Sequence, residues 1–521
     1  MNLGRLLGHT ARHHPEHIAV RWAGTQLTYA ALNARVDALA AALDGLGLRR
    51  GDRIAFIMWN RPELLEVMFA AFKMGLCVVP LNARFNAEEI VYHVGDARAA
   101  ALVHGPEFAA EVRQAADRLP SVQHVLSVDG PAAALPGSTA EVHAYAGLVA
   151  AHAGAPDPTV DVPPDEVAWL FYTSGTTGRP KGAMLTHANL EFTALGWVAD
   201  LMPLTPDDVT LHAAPLTHGA GFHALAAVAK GCTHVLPDTP AFDAATALAL
   251  IEREGVTNTW MVPTQINRLV ASPDLATRDL SRLHSVLYGG APFHVEDLKL
   301  AVAALGPVLV QVFGQGETPM TATYLRQGEH VLGDPEVEAR LASAGHARTG
   351  MQVRTVDDQD RDVPVGELGE IVVRGPAVML GYWERPEATA EALRGGWLHT
   401  GDIGTFDDRG YLYVLDRMKD LIITGGSNVY AREVEEVLIA HPDVEAVAVI
   451  GLRDRDWGER VVAVVVPTEG SVRDGPTLIQ HCAARLAAYK KPKQVEFVEQ
   501  LPVSPYGKVL KRELRTLLGD A

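Results

Sequence analysis

Cysteine is scarce in this chain of 521 residues: only Cys77, Cys232 and Cys482 occur, far apart and with no Cys-x-x-Cys pair. That scarcity argues against a disulfide framework and against the common zinc modules, and it fits a reducing cytoplasm. Basic charge is also short. Lys and Arg number 45 against 63 Asp and Glu, a net charge of −18, so the surface repels nucleic acid and anionic lipid. No run of about 18 apolar residues occurs, and Met1-Asn2-Leu3-Gly4-Arg5 leads into an amphipathic stretch rather than a signal-peptide core. Neither a membrane span nor secretion is expected. Short repeats and low-complexity tracts are missing too. What is present is a globular composition, 48% hydrophobic and 21% charged, on a chain too long for one compact core. At least two domains follow, in a protein suited to small-molecule chemistry.

Residues 53–58 read as a buried strand. Pro62 sits in the first turn of a helix whose Leu64, Leu65, Met68, Phe69 and Phe72 recur at helical spacing, Gly75 closes it, and residues 77–79 form a second strand. A parallel strand pair needs such a crossover helix, so the fold class is α/β. The rhythm continues with strands at 233–236, 256–261 and 285–288 and a helix at 244–254. Towards the C-terminus, helices at 433–441 and 478–487 and strands at 444–450, 461–466 and 495–498 make a small α+β unit of about 100 residues, enough to fold separately. The charged turn Asp416-Arg417-Met418-Lys419-Asp420 between apolar strands marks an interdomain hinge.

After the apolar strand at 167–172 comes Thr173-Ser174-Gly175-Thr176-Thr177-Gly178-Arg179-Pro180-Lys181-Gly182, with four hydroxyls, three glycines and one lysine. Glycines let backbone N–H groups approach phosphate oxygens, hydroxyls donate further bonds, and Lys181 supplies positive charge. The common P-loop requires Gly-Lys-Ser/Thr opening a helix, whereas Lys181 lies between Pro180 and Gly182. A Walker-type NTPase is therefore disfavoured; a polar surface loop is the plain alternative.

The stretch 172–187, YTSGTTGRPKGAMLTH, closely resembles the nucleotide loop of the adenylate-forming superfamily, which includes acyl-CoA synthetases, luciferases and peptide-synthetase adenylation domains. Further matches follow in order along nearly the whole chain. The resemblance implies a large N-terminal α/β domain of several subdomains (residues 1–417), binding AMP and the acyl group, and a small mobile α+β lid (418–521). ATP would be held by Thr173, Ser174, Gly175, Thr176, Thr177, Gly178 and Lys181. In Gln311-Val312-Phe313-Gly314-Gln315-Gly316-Glu317 the resemblance makes Phe313 an adenine-stacking ring, Gly314 part of the nucleotide site and Glu317 the Mg2+ ligand. One carboxylate is chemically sufficient, because Mg2+ combines carboxylate and phosphate oxygens with retained water. Gly316 departs from the family threonine that reaches the α-phosphate; Thr318 or Gln315 is a candidate replacement.

By the same resemblance, Gly289, Gly290, Ala291 and Pro292 line the adenine and acyl pockets, Asp402 binds both ribose hydroxyls, and Arg417 reaches that ribose from the hinge. Lys508, in Pro502-Val503-Ser504-Pro505-Tyr506-Gly507-Lys508, takes the part of the catalytic lysine. An ammonium group there stabilises the charge that grows as two anions react. His218 is the wall beside the substrate carboxylate. The acyl pocket is expected from Trp197, His218, Gly219, Ala220, Gly221, Phe222, Met261, Val262, Gly289 and Met320, an apolar and roomy set for a fatty or aryl acid. His212, His218 and His223 do not form a zinc motif, since their spacing matches neither HExxH nor a finger.

The implied reaction forms acyl-AMP and pyrophosphate. The lid then pivots about Lys419, and Gly425 and Gly426 line a tunnel for the thiol of coenzyme A. Coenzyme A is preferred as acceptor because 416–435 resembles acyl-CoA synthetases and no carrier domain is seen after Ala521. Alternatives are loading of a carrier protein, a luciferase-like oxygenase and a nucleotide sensor without catalysis. The resemblance also suggests a homodimer.

Overall fold

The structure, a computed structural model, describes residues 1–131, 133–173, 179–424, 427–503 and 509–519, with Lys419 described by its backbone alone. Among the described residues the longer strands form four sheets. A seven-stranded sheet runs from edge to edge as Glu141–Ala144, His124–Ser127, Ala101–His104, Arg53–Ile57, Cys77–Pro80, Val167–Thr173 and Lys181–Thr186. A nine-stranded sheet runs as His346–Ala347, Thr323–Leu325, Leu309–Phe313, Ser285–Tyr288, Asn258–Met261, Val209–Leu211, Thr233–Leu236, Ile18–Trp22 and Thr25–Thr28. Their inner strands are parallel, as buried runs joined by helices require.

The β-α-β unit shows why the sequence folds this way. Pro62 opens the helix Pro62–Met74 and Gly75 ends it in the left-handed region at φ 70°, a conformation that costs glycine nothing. The next strand, Cys77–Pro80, then lies parallel to Arg53–Ile57 in register Arg53 with Cys77.

The two large sheets share one core. Trp169 and Phe171 of the first and Trp260 and Leu287 of the second belong to the same apolar cluster, with Ala220 and Phe222 of the buried helix Gly219–Lys230. A Leu or Phe side chain among them contributes about 1.5–3 kcal/mol when fully buried. The outer face of the nine-stranded sheet carries a separate core of Leu211, Met261, Val286 and Tyr288. Successive residues thus divide between two faces, as strand geometry dictates.

Gln352–Val356, Gly369–Arg374, Leu398–Phe406 and Leu412–Arg417 make an antiparallel four-stranded sheet. After the short helical turn Met418–Asp420 the chain enters a sheet of different membership, in which Ile422–Thr424, Ser427–Val429, Val444–Asp454, Gly458–Pro467 and Gln494–Phe497 pair. The helices Ala431–Ile439 and Gly475–Ala483 pack on its own core of Val434, Leu438, Val447, Val449, Ala463 and Leu478. The fold is therefore mixed α/β, a large N-terminal domain followed by a smaller C-terminal one. Among the described residues no helix is long and apolar enough to cross a membrane.

Candidate active site

The strand Val167–Thr173 ends where the hydroxyl-rich loop begins, and Lys181 opens the antiparallel strand that returns from it, opposite Thr173. The two ends of the loop are thereby fixed side by side. Thr173 Oγ1 donates to Glu317 Oε1 at 2.8 Å, and the Tyr382 hydroxyl donates to the same oxygen at 2.8 Å. Burial and then the Glu317 charge hold the Tyr382 hydroxyl far above the usual phenol range, so it stays a donor. Lys181 Nζ lies 4.3 Å from the centre of the Tyr382 ring. One tyrosine thus touches both the loop lysine and the acidic residue.

Glu317 is buried, and among the described residues no cation lies within ion-pair distance of it. A buried carboxylate whose side-chain partners among the described residues are hydroxyl donors is a hard, anionic oxygen set that suits Mg2+, which takes one or two carboxylates and completes its shell with phosphate and water. Glu317 and its two hydroxyl neighbours fit that ion.

Gln315 links this cluster to the next. Its Nε2 donates to the Thr400 carbonyl at 2.7 Å and to Asp402 Oδ2 at 2.8 Å. Asp402 is buried, and its cross-strand partner Arg417 places Nε 3.3 Å from Oδ1. An acceptor and a donor suited to a diol therefore stand side by side. The Gln315 amide is engaged here, and the Thr318 hydroxyl bonds back to the backbone of Gln315. Gly316 has a packing reason: a Cβ there would lie 2.4 Å from Cδ1 of Phe171 and 2.7 Å from Cγ2 of Thr173.

Phe313 closes the strand Leu309–Phe313, half-buried against a core that includes Ala322 and Ile371. Gly314 accepts no side chain, since a Cβ would meet the Met320 carbonyl carbon at 2.6 Å. Gly289 approaches Val312 equally closely, 2.4 Å from Cβ to the carbonyl oxygen. Gly290 is left-handed at φ 79°, with Ala291 half-buried and Pro292 exposed after it.

The residues expected in the acyl pocket divide between two cores. His218 caps the helix Gly219–Lys230, its ring centre 4.7 Å from that of Phe171. A Cβ on Gly219 would lie 3.3 Å from Trp260 and 3.5 Å from Met320, so these two side chains pack directly onto the backbone of Gly219. Met320 is held at φ 64°, a strained backbone for a non-glycine residue and of a kind that gathers at functional sites. Met261 packs in the outer core of the nine-stranded sheet, whereas its neighbour Trp260 belongs to the core shared by the two large sheets. Gly221 is fixed by packing, a Cβ there falling 2.3 Å from the Leu216 carbonyl oxygen. Ala220 and Phe222 are buried in the shared core and Val262 is half-buried at the start of the helix Pro263–Val270.

Trp197 is fully buried, stacked on His223 at 5.4 Å and 8° and tilted against Trp260 at 5.6 Å. Behind it His212 and His234 share a 2.8 Å bond between Nε2 and Nδ1. Burial lowers all three histidines, His223 to about 4 and His234 to about 3, so the cluster is neutral. Ser174, Gly175, Thr176, Thr177, Gly178, Gly425, Gly426 and Lys508 lie outside the described residues, as does the Lys419 side chain.

Residues 7–383 match the AMP-binding enzyme family and residues 433–508 the AMP-binding enzyme C-terminal domain. The chain belongs to the AMP-binding enzyme family. It is therefore an enzyme of the adenylate-forming superfamily that includes the acyl-CoA synthetases. It is 43% identical over 512 residues to a feruloyl-CoA synthase of an Amycolatopsis species, covering 98% of this chain and 97% of the relative. It is 36% identical over 520 residues to an indoleacetate–CoA ligase of Aromatoleum aromaticum, covering 99% and 98%. Among solved structures, the amide bond synthetase McbA of Marinactinospora thermotolerans superposes with a TM-score of 0.88 at 33% identity, over 99% of this chain and 100% of that one.

In this AMP-binding enzyme, sequence reasoning did not single out Tyr382, Trp260 or Phe171 as members of the site. Tyr382 reaches Glu317 across 65 positions, and no local spacing announces such a contact. Trp260 gave no usable signal, since all four residues of its strand are buried and alternation alone does not say which of them faces which core.

Proposed function

We propose that the enzyme is an AMP-forming acid–CoA ligase for an apolar acid, with an aryl acid favoured over a fatty one. The observation that carries the aryl reading is the surroundings of Gly219, where Trp260 and Met320 come within 3.5 Å of the Cβ position and Phe171 lies against His218. Flat aromatic walls suit a flat ring, and aromatic pairs add about 0.5–1.5 kcal/mol beyond burial. The likeness to a feruloyl-CoA synthase and an indoleacetate–CoA ligase supports the same choice.

In this reading the loop that starts at Thr173 and ends at Lys181 takes the ATP phosphates, with Ser174, Gly175, Thr176, Thr177 and Gly178 supplying N–H and hydroxyl donors. Phe313 and the Gly290–Pro292 turn flank adenine, and Asp402 and Arg417 hold the ribose. Glu317 would hold Mg2+, which when bound offsets polyphosphate charge; Thr173 and Tyr382 keep that carboxylate oriented. An oxygen of the substrate carboxylate bonds to the α-phosphorus as the α–β bridging bond breaks, releasing pyrophosphate. Lys508 offsets the charge that grows in that step. The thiolate of CoA then attacks the acyl carbon and AMP leaves, with the lid pivoting at Lys419, the domain boundary at 417/418, and the thiol entering past Gly425 and Gly426. Cytoplasmic placement and a homodimer belong to the same proposal.

A panel of cinnamic, benzoic, indoleacetic and fatty acids with ATP, Mg2+ and CoA tests it, following pyrophosphate and AMP. Aryl acids should turn over fastest, and AMP release should need CoA. Preference for fatty acids, or fast AMP release with an amine in place of CoA, would overturn the acid or the acceptor. Lys508→Ala should lose adenylation yet keep thioester formation from supplied acyl-adenylate; equal loss of both would remove its assigned part.

A further inference from the structure

One edge of the seven-stranded sheet carries a cluster that adenylation leaves unused. His124–Ser127 and Glu141–Ala144 pair in parallel, with His124 opposite Glu141 and Leu126 opposite His143. Side chains alternate along a strand, so Glu141 and His143 share one face, and the register sets His124 on that face beside them. Nδ1 of His124 stands 3.2 Å from Nε2 of His143, and each of these nitrogens is 3.7 Å from Oε2 of Glu141. A tetrahedral zinc ion with Zn–N bonds of about 2.0–2.1 Å keeps its ligand atoms about 3.3 Å apart along each edge. Two imidazoles and a carboxylate thus already outline one face of that tetrahedron.

The histidine side chains are 11% and 19% exposed and the carboxylate is 70% exposed, so an ion can reach the group from solvent. No cysteine is needed, so the scarcity of cysteine does not bear on this site. It is also remote from the proposed Mg2+ residue: four strand steps, about 19 Å at about 4.8 Å each, separate His124–Ser127 from the strand that carries Thr173.

We propose that His124, Glu141 and His143 bind a zinc ion that fastens the edge strand Glu141–Ala144 to its neighbour. Calorimetric titration of the full chain with zinc chloride tests this, comparing the wild type with His143→Asn and Glu141→Gln. The wild type should take up one equivalent that both variants bind about tenfold or more weakly. Co2+ in the same site should give a tetrahedral visible absorption that the variants lose, and Zn2+ should slow amide exchange at residues 141–144. Pyrophosphate release under Mg2+ should be equal in all three proteins. Equal zinc affinity and equal cobalt spectra in wild type and variants would overturn the proposal. If His143→Asn fails to fold, Glu141→Gln, at a largely exposed position, carries the same comparison.

Discussion

Phe171 occupies the space that a side chain at position 316 would need: a Cβ built on Gly316 falls 2.4 Å from one ring carbon and 2.6 Å from the next. The departure from the family threonine is thus tied to a ring 145 positions earlier, and that ring also lies against His218. Overpacking of a filled core costs about 1–3 kcal/mol. Gly316→Thr alone should therefore destabilise the protein and slow adenylation. Phe171→Ser alone leaves a cavity, but the double variant should recover part of both losses, because each change makes room for or fills the other. Additive losses in a denaturation and pyrophosphate-release cycle would show that the two positions are uncoupled.

Tyr382 carries the next prediction. Tyr382→Phe keeps the ring under Lys181 and removes only the donor to Glu317. Residues that orient a metal ligand typically contribute about 10–100-fold in metal affinity or activity. The variant should need more Mg2+ for half-maximal adenylation, with little change in the apparent affinity for the acid. An unchanged Mg2+ titration would detach Tyr382 from the metal site.

The reach of the sequence is clear in these contacts. The helix Pro62–Met74 was legible because proline, glycine and apolar spacing all agree locally, and the helix Ala244–Glu254 has the expected bounds. The strand Asn258–Met261 was legible as a strand but not in its facing. All four of its residues are buried, so polarity gives no hint that Trp260 rather than Met261 turns to the core shared by the two large sheets. The family resemblance pointed to Glu317, Asp402 and Arg417; the structure joins Asp402 to Gln315 and Arg417, and Glu317 to Thr173 and Tyr382. The resemblance gave no notice of Tyr382 or Phe171, whose contacts are set by how distant strands register. The zinc candidate was missed for a related reason: His124 and His143 are joined by strand pairing and follow no short motif.

The histidines behind Trp197 set an acid limit on stability. His212, His223 and His234 are buried with pKa values pushed down by burial, against about 6.5 in an unfolded chain. The unfolded state therefore binds more protons between about pH 6.5 and about 4, and stability falls as pH drops through that window. For His223 alone the shift corresponds to about 3 kcal/mol. Urea midpoints should decline from pH 7 to pH 4.5, and His223→Asn should flatten the decline. A variant with the wild-type slope would place the acid sensitivity elsewhere.

A last prediction concerns how the small domain rests on the large one. His294 Nδ1 lies 3.2 Å from Glu436 Oε1, joining the start of the helix Val295–Leu305 to the helix Ala431–Ile439. Burial alone would lower the His294 pKa, but the contact with Glu436 and its charge outweigh it and the net shift is upward. The Glu436 carboxylate is shifted down despite its burial and stays ionised. A raised histidine gives its full stabilisation below the unfolded value of about 6.5 and loses it as pH rises through the higher folded value. Protease cleavage within residues 418–421 should accordingly quicken from pH 6 to pH 9. Glu436→Gln should cleave at the faster rate at every pH, because the partner that holds the proton on His294 is gone. A variant whose cleavage follows the wild-type pH curve would show that this pair does not hold the domains together.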